Sequence, residues 1–118
     1  MSASTLPHDH GQTAEKIAAS LPNTEEFRLS ADLFRQLSDA TRLKIFWILC
    51  HCEACVINLA AMMEMSSPAV SHHLRQLKED GLVLARREGK EVYYQAANDP
   101  RVHELHRIVE TLMDITCP

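Results

Sequence analysis

The feature of this sequence that most constrains its fold is a pair of short helical patterns that meet at a tight turn. Apolar side chains between residues 56 and 63 recur at the spacing of one helix face. Ser67 and Pro68 then offer an N-cap and a proline suited to the first position of a second helix. Gly81 is expected to end that helix. The sequence therefore predicts two helices joined by a tight turn.

A β-hairpin with a charged tip is predicted directly after the second helix. Two β-prone runs, residues 82–87 and 91–96, flank a turn that contains Gly89. Together with the two helices, this order of elements describes a winged helix-turn-helix. The predicted fold class is mainly α with a small β-hairpin (α+β), in a single small domain.

A further helix is predicted upstream, over residues 41–51, with Ser38 and Asp39 as candidate caps. An apolar stripe at i, i+3, i+4 and i+7 is expected to face the core. Its members are Leu43, Phe46, Trp47 and Cys50. Two weaker helical patterns precede it, one before Pro22 and one that carries Leu29, Leu33, Phe34 and Leu37.

The last predicted helix carries more apolar surface than one small domain is expected to bury. Asp99 and Pro100 are its candidate caps, and its apolar residues are Val102, Leu105, Ile108, Val109, Leu112 and Ile115. In a chain of 118 residues little core is left for this seam. We therefore expect a homodimer through residues 99–116 and helices within 13–37. Residues 1–12 are expected to be a flexible arm, and residues 13–118 the domain.

The overall charge argues against nucleic-acid binding, whereas the distribution of charge favours it. The net charge is −4, and phosphate contacts need a basic surface. Residues 66–98, however, hold 5 basic and 4 acidic side chains, and they form the only net-basic block. Because this block contains the second helix and the hairpin, DNA is expected to bind there.

Several other classes of protein fit the sequence poorly. No apolar stretch approaches the roughly 18 residues that span a bilayer, and residues 1–12 lack the pattern of a secretory signal. A cytoplasmic protein without a membrane partner is expected. No glycine-rich phosphate loop or carboxylate dyad is visible, so an enzyme is not predicted; a small enzyme with a Cys-His pair is the alternative.

Candidate DNA contacts lie on the polar face of the second helix and on the hairpin. A helix about 10–12 Å wide fits the major groove. Arginine can bind guanine through two hydrogen bonds, glutamine can pair with adenine, and serines near a helix start suit a phosphate. Cations at the hairpin would contact the backbone or the minor groove. The predicted contacts are Ser67, Ser71, His72, Arg75, Gln76, Arg86, Arg87 and Lys90.

Three motifs carry a resemblance to a known family. They are Asp39-Ala40-Thr41-Arg42, Ser71-His72-His73-Leu74, and Arg87-Glu88-Gly89-Lys90 followed by Tyr93-Tyr94. Over roughly residues 28 to 116 the chain resembles the ArsR/SmtB family of metal-responsive bacterial repressors. The resemblance implies a homodimer that binds operator DNA with dyad symmetry. It also implies repression of transcription until an inducer, commonly a metal ion, releases the DNA.

The metal ligands that the resemblance implies are only partly present. One family site uses two cysteines in Glu-Leu-Cys-Val-Cys-Asp-Leu. Cys55 matches the first of them, but Ile57 replaces the second. Another family site pairs Asp-x-His with later ligands, and here Asp99 is kept while Arg101 takes the histidine position. The first site thus lacks its thiolate pair, and the second is expected to be absent.

A different set of thiols is predicted to bind the inducer. Cys52 and Cys55 lie three residues apart at the entry to a helix, close enough to share a soft metal ion. Cys117 lies in a C-terminal tail, and the resemblance permits a tail to complete such a site. Zinc, cadmium, lead or arsenite would accept these thiolates. The alternative is a redox sensor, in which oxidation of the same cysteines replaces metal binding as the switch.

The other candidate ligands carry more ordinary interpretations. His8 and His10 in the N-terminal arm could add nitrogen ligands for zinc. Cys50 belongs to the core stripe and is interpreted as a packed side chain. His103 and His106 lie three residues apart on the last helix, where metal binding is one interpretation and a surface position is the favoured one.

Overall fold

A computed structural model describes residues 6–8 and 11–115 of the chain. The chain divides into two compact units, Met1–Ala31 and Asp32–Pro118. None of the helices in the described ranges combines the length and apolarity that a membrane-crossing segment requires. The elements are α1 (Gln12–Ala19), α2 (Thr24–Gln36), α3 (Ala40–His51), β1 (Ala54–Cys55), α4 (Val56–Met63), α5 (Ser67–Glu79), β2 (Val83–Glu88), β3 (Glu91–Ala96) and α6 (Pro100–Met113).

The helix starts follow from side chains that accept hydrogen bonds from otherwise unpaired backbone N–H groups. Asp39 caps α3, where its Oδ1 accepts from the N–H of Arg42 at 2.9 Å. Asp99 caps α6 in the same way and accepts from the N–H of Arg101 at 2.8 Å. Both caps were predicted from the sequence, and both are confirmed.

The start of α5 differs from the prediction by one residue. Ser66, with extended backbone, is the N-cap, and its hydroxyl accepts a hydrogen bond from the N–H of Ala69 at 3.3 Å. Ser67 is already helical, so its predicted role as the cap is wrong. Pro68 still falls in the first turn, where its missing N–H costs nothing. Either serine fits the local pattern, and the backbone conformation of the turn decides between them.

The hydrophobic core brings α3, α4 and α5 together with the sheet. On α3 the buried residues are Ile45, Phe46 and Leu49, whereas Trp47 and Cys50 are only half-buried. Of the predicted core stripe, Phe46 is buried and Leu43 and Cys50 pack against the core, whereas the fully buried Ile45 and Leu49 were not predicted. Because α3 is apolar on most sides, its spacing could not indicate which side faces inward. Outside α3, the largest fully buried side chains are Leu59, Val70, Leu74, Leu77, Leu82 and Val83.

The sheet has three antiparallel strands in the order β1-β3-β2. The predicted hairpin is confirmed, and Gly89 is the first of its two loop residues, with φ +62° as a type II′ turn requires. Strand β1 was not predicted, because two residues are too few to show an alternating pattern. It pairs Cys55 with Tyr93, and so fastens the segment between α3 and α4 to the hairpin.

Helix α6 packs against its own domain over most of its length. Val102, Leu105 and Val109 are buried within the single chain, and the first two belong to the main core. The premise that a small domain has too little core for these residues is therefore wrong. Leu112 is 80% exposed and Ile115 is also exposed, so the expectation of an intermolecular contact is restricted to the end of the helix.

Candidate nucleic-acid interface and ligand groups

Helix α5 presents polar side chains opposite the side that it buries. Val70, Leu74 and Leu77 enter the core. At 3.6 residues per turn, His72 and Arg75 lie on the far side of the helix, and both are exposed. Of the other predicted contacts on this helix, Ser67 is exposed, and Ser71 and Gln76 are half-buried. The exposed face has the width and the chemistry to enter a major groove.

Gln76 has an internal partner that sequence reasoning missed. Its Oε1 accepts a hydrogen bond from Nη1 of Arg42 at 2.6 Å. The same guanidinium donates through Nε to the backbone carbonyl of Gln36, also at 2.6 Å. Arg42 thus ties the end of α2 to α5. The predicted pairing of Gln76 with adenine needs its amide oxygen as an acceptor, and here that oxygen already accepts from Arg42.

His73 lies on α5 but faces the protein rather than the solvent. Burial lowers the pKa of His73 below its ordinary value of 6.5, although the carboxylate of Asp39 acts in the opposite direction. Among the described residues, Nδ1 of this histidine is buried without a hydrogen-bond partner. The imidazole of His73 is therefore neutral near pH 7. Unlike the exposed His72, it is not available for a DNA contact.

The basic residues of the hairpin are not equivalent. Arg86 donates to both carboxylate oxygens of Glu53, at 2.6 and 2.7 Å, and to Glu88 at 2.8 Å. These hydrogen bonds raise the pKa of Arg86 and lower the pKa of Glu53. The guanidinium also lies 4.9 Å from the ring centre of Tyr93. The charge of Arg86 is thus compensated within the chain, while the side chains of Arg87 and Lys90 extend into solvent.

Of the three predicted thiol ligands, the structure describes Cys52 and Cys55 but not Cys117. Cys52 is exposed at the end of α3, and Cys55 is half-buried at the start of α4. Cys117 and His10 fall outside the described ranges, whereas His8 is exposed. Cys50 packs against the core, as expected. Among the described residues, neither Cys52 nor Cys55 belongs to a group of three potential metal ligands.

The described residues do contain one such group, and it consists of His51, His106 and Glu110. The group joins the end of α3 to the middle of α6, and all three residues are partly buried. The favoured interpretation of His106 as a surface histidine is therefore wrong. The spacing of His106 and Glu110, four residues apart on one helix, was the available signal. Nothing in the sequence indicated that His51 would meet them.

A cavity of about 510 Å³ opens beside this group. Its lining includes both histidines of the group, His103 from the preceding turn of α6, and the cysteines Cys50 and Cys52. Gln95 of β3 contributes a polar side chain. The two histidines of the group and two cysteines therefore line one partly enclosed space.

Residues 39–84 match the family described as "Bacterial regulatory protein, arsR family". Over 103 residues the chain is 37% identical to a "Transcriptional repressor SmtB homolog" of Synechocystis sp., covering 87% of this chain and 77% of the relative. It is 45% identical over 76 residues to a "Cadmium resistance transcriptional regulatory protein CadC homolog" of Staphylococcus aureus, covering 64% of this chain and 62% of the relative.

Among solved structures, a similar fold occurs in a protein of Mycobacterium bovis. It is described as a homodimeric winged helix-turn-helix DNA-binding domain of a possible ArsR-family transcriptional regulator. The TM-score is 0.69 at 31% sequence identity, over 81% of this chain and 90% of that one. The chain therefore shares the winged helix-turn-helix fold of that structure.

Proposed function

The chain belongs to the ArsR family of DNA-binding transcriptional regulators, and from this we propose that it is a cytoplasmic, homodimeric repressor. The repressor binds double-stranded operator DNA with dyad symmetry and releases it when a thiophilic metal ion binds. Zinc, cadmium, lead and arsenite are the candidate inducers. One observation carries the proposal: α5 buries one face in the core and presents exposed polar side chains on the other, beside a basic wing.

Helix α5 and the wing have different tasks in this proposal. His72 and Arg75 reach base edges in the major groove, where an arginine can donate two hydrogen bonds to O6 and N7 of guanine. Arg87 and Lys90 of the wing contact phosphates, which fixes the orientation of the protein but carries no sequence information. Ser67, near the start of α5, contacts a phosphate at the positive end of the helix.

Three of the predicted contacts depend on rearrangement or on closer approach. Gln76 has to exchange Arg42 for a base, and Arg86 has to exchange Glu53 for a phosphate. Ser71 is half-buried and requires α5 to lie deep in the groove. These three residues are therefore proposed as weaker contributors than Arg75.

A dimer is proposed because it matches a dyad-symmetric operator and doubles the phosphate contacts of an acidic chain. The exposed apolar residues at the end of α6, Leu112, Met113 and Ile115, support a contact between two copies there. Phe34 of α2 is exposed as well. A C2 arrangement would place the two copies of α5 about 34 Å apart, one turn of DNA.

The DNA-binding proposal can be tested by selecting duplexes from a random library with the full chain. The expected product is a sequence with dyad symmetry and half-sites separated by about one helical turn. Sedimentation of the complex should give two protein chains per duplex. Selected duplexes without a dyad, or one chain per duplex, would contradict the homodimeric repressor.

The inducer is proposed to bind Cys52, Cys55 and Cys117. Cys52 and Cys55 are free thiols that flank the short connection between α3 and α4, which leads directly into the helix-turn-helix. A metal can release DNA only if it binds the DNA-free conformation more tightly, and DNA must then weaken metal binding by the same factor. A coupling of about 1–3 kcal/mol changes DNA affinity by roughly 5- to 150-fold.

An anaerobic titration of the reduced protein with zinc, cadmium and arsenite tests this site through thiolate-to-metal absorbance. Cys55→Ser and Cys117→Ser are expected to abolish the absorbance, whereas Cys50→Ala, a matched thiol control in the core, retains it. A folded dimer that gives no thiolate absorbance with any of these ions would refute the thiolate sensor. The same result would favour oxidation of the cysteines as the switch.

A further inference from the structure

We infer that His51, His106 and Glu110 form a metal site that is separate from the thiols and takes one divalent transition-metal ion such as Zn²⁺. Each residue would supply one ligand atom, and a water molecule from the adjoining cavity would take the fourth position. Imidazole nitrogen and carboxylate oxygen are ligands that zinc commonly uses. The proposed site contains no sulfur, and it does not depend on the thiolate site proposed above.

The fold holds the three side chains on two rigid elements. His106 and Glu110 are four residues apart on α6 and therefore project from one face, one turn apart. His51 is the last residue of α3, 55 positions away from His106 in the chain. Sites on helices are held more precisely than sites on loops. A metal ion here would crosslink α3 to α6.

The distances between neighbouring candidate ligand atoms are close to the edge of a coordination tetrahedron, with a different oxygen of Glu110 facing each histidine. Nε2 of His51 lies 3.1 Å from Nε2 of His106 and 3.4 Å from Oε2 of Glu110. Nε2 of His106 lies 3.2 Å from Oε1 of Glu110. For zinc bond lengths of about 2.0–2.1 Å, tetrahedral ligand atoms lie roughly 3.3–3.4 Å apart. With one atom taken from each residue, the three atoms lie within 4.8 Å of one another, and rotation of the carboxylate can bring one oxygen closer to both histidines.

The neighbours of these ligands orient them as a metal site requires. Nε1 of Trp47 donates a hydrogen bond to Oε2 of Glu110 at 3.2 Å, which fixes one carboxylate oxygen and directs the other toward His106. The ring of Trp47 also packs against that of His51, with centroids 4.3 Å apart. Such outer partners set ligand orientation in metal sites and contribute to affinity.

The burial and the negative charge of the three-residue group favour the binding of a cation. Only 12–20% of each of the three side chains is exposed, so the Glu110 carboxylate lies largely out of water. Nε2 of His51 faces Nε2 of His106. The two nitrogens can form a hydrogen bond only if one carries a proton and donates it while the other accepts. A divalent ion would accept lone pairs from both nitrogens and offset the carboxylate charge. The cavity beside the group gives the ion a route of entry.

Cobalt binding to a thiol-depleted chain tests the inference. In the full chain with Cys52→Ser, Cys55→Ser and Cys117→Ser, Co²⁺ is expected to bind at one ion per chain and to give visible d–d absorption without sulfur charge transfer. Zn²⁺ should displace it. Because the three thiols are absent, a failure of the thiolate proposal leaves this result unchanged.

Single changes in the same background identify the ligands. His106→Ala and Glu110→Gln should each weaken Co²⁺ binding by at least about 100-fold. His103→Ala, an exposed histidine that lines the same cavity, should leave affinity within about twofold. Trp47→Phe should weaken binding by about 10- to 100-fold while keeping the spectrum. Circular dichroism checks that each variant folds. If one does not, His51→Gln is used instead, because His51 is the last residue of α3.

Two results would overturn the inference. One is a folded thiol-depleted chain that binds neither Co²⁺ nor Zn²⁺. The other is a loss of affinity in His103→Ala as large as that in His106→Ala, which would assign the ion to the cavity surface rather than to the proposed ligands.

Discussion

Helices α5 and α6 pack into the core with the same spacing of apolar residues, but their remaining faces carry different chemical groups. Each places three apolar residues at 3–4 spacing in the core, Val70, Leu74 and Leu77 on α5 and Val102, Leu105 and Val109 on α6. The remaining face of α5 is polar and exposed. The remaining face of α6 carries two ligand-type residues toward α3 and then an apolar end in solvent.

This difference shows that burial alone does not indicate the partner of a helix. A polar, partly basic face next to a hairpin suits a phosphate-rich groove. A face with imidazole and carboxylate groups suits a metal ion, and an exposed apolar end suits a second protein chain. Two helices with equivalent packing can therefore present faces that suit different partners.

The largest expected effects test whether the two helices are equally part of the core. Leu74→Ala on α5 and Leu105→Ala on α6 should each lower the free energy of unfolding by about 2–5 kcal/mol, because each leaves a cavity. Leu112→Ala should change it by less than about 0.5 kcal/mol at concentrations where the chain is monomeric. Urea denaturation measures all three. A Leu105→Ala cost as small as that of Leu112→Ala would show that α6 is not part of the core.

A change on the polar face of α5 should affect DNA binding and spare the fold. Arg75→Ala is expected to weaken binding to a selected duplex by about 1–3 kcal/mol, since it removes a bidentate contact to a base. Arg101→Ala on α6 is the matched arginine control and should have little effect. Fluorescence anisotropy at fixed salt measures both. Equal losses in the two variants would mean that DNA does not distinguish α5 from α6.

A smaller effect is expected where the wing is restrained by the rest of the domain. Glu53→Gln removes one of the two carboxylates that hold Arg86, so Nε and Nη2 of the guanidinium become available to phosphate while Nη1 still faces Glu88. DNA binding should tighten, and the slope of log affinity against log salt should steepen by about 1. The double variant Glu53→Gln, Arg86→Ala should lose this gain. An unchanged salt slope in Glu53→Gln would show that Arg86 does not reach DNA.

The smallest expected effect concerns His73, the half-buried histidine of α5. The pKa of His73 is lowered by burial in the folded chain, so between that value and 6.5 the unfolded chain binds more protons. Stability should therefore rise with pH through this window, and the contribution should be lost as pH falls below about 6.5. His73→Gln should flatten this dependence in urea denaturation between about pH 5 and 8. Parallel curves for both chains would contradict the burial argument.

Much of the fold could be predicted because it rests on interactions between near neighbours in the sequence. The caps at Asp39 and Asp99 bond N–H groups two or three residues away, and the Gly89 turn needs only its own two-residue loop. The errors arose where several local solutions were equivalent. Ser66 and Ser67 are both good caps, and α3 is apolar on more than one side.

The candidate sites were predictable to the extent that they lie on one element. The polar face of α5 follows from helical spacing, and the structure places His72 and Arg75 on it as expected. The partners of the other contacts are distant in the chain. Arg42 and Gln76 are 34 positions apart, and Arg86 and Glu53 are 33 apart. No local pattern indicates which of these charged and amide side chains will form hydrogen bonds within the chain.

The sequence by itself determined the order of the main helices and the hairpin, the winged helix-turn-helix and the exposed face of α5, because hydrophobic periodicity and capping act within a few residues. Only the tertiary structure decided that α6 would pack on its own domain, and that His51 would meet His106 and Glu110 across 55 positions. Those outcomes depend on how separate helices fill one core. Such packing is a property of the assembled domain, and the spacing of residues along one helix does not indicate it.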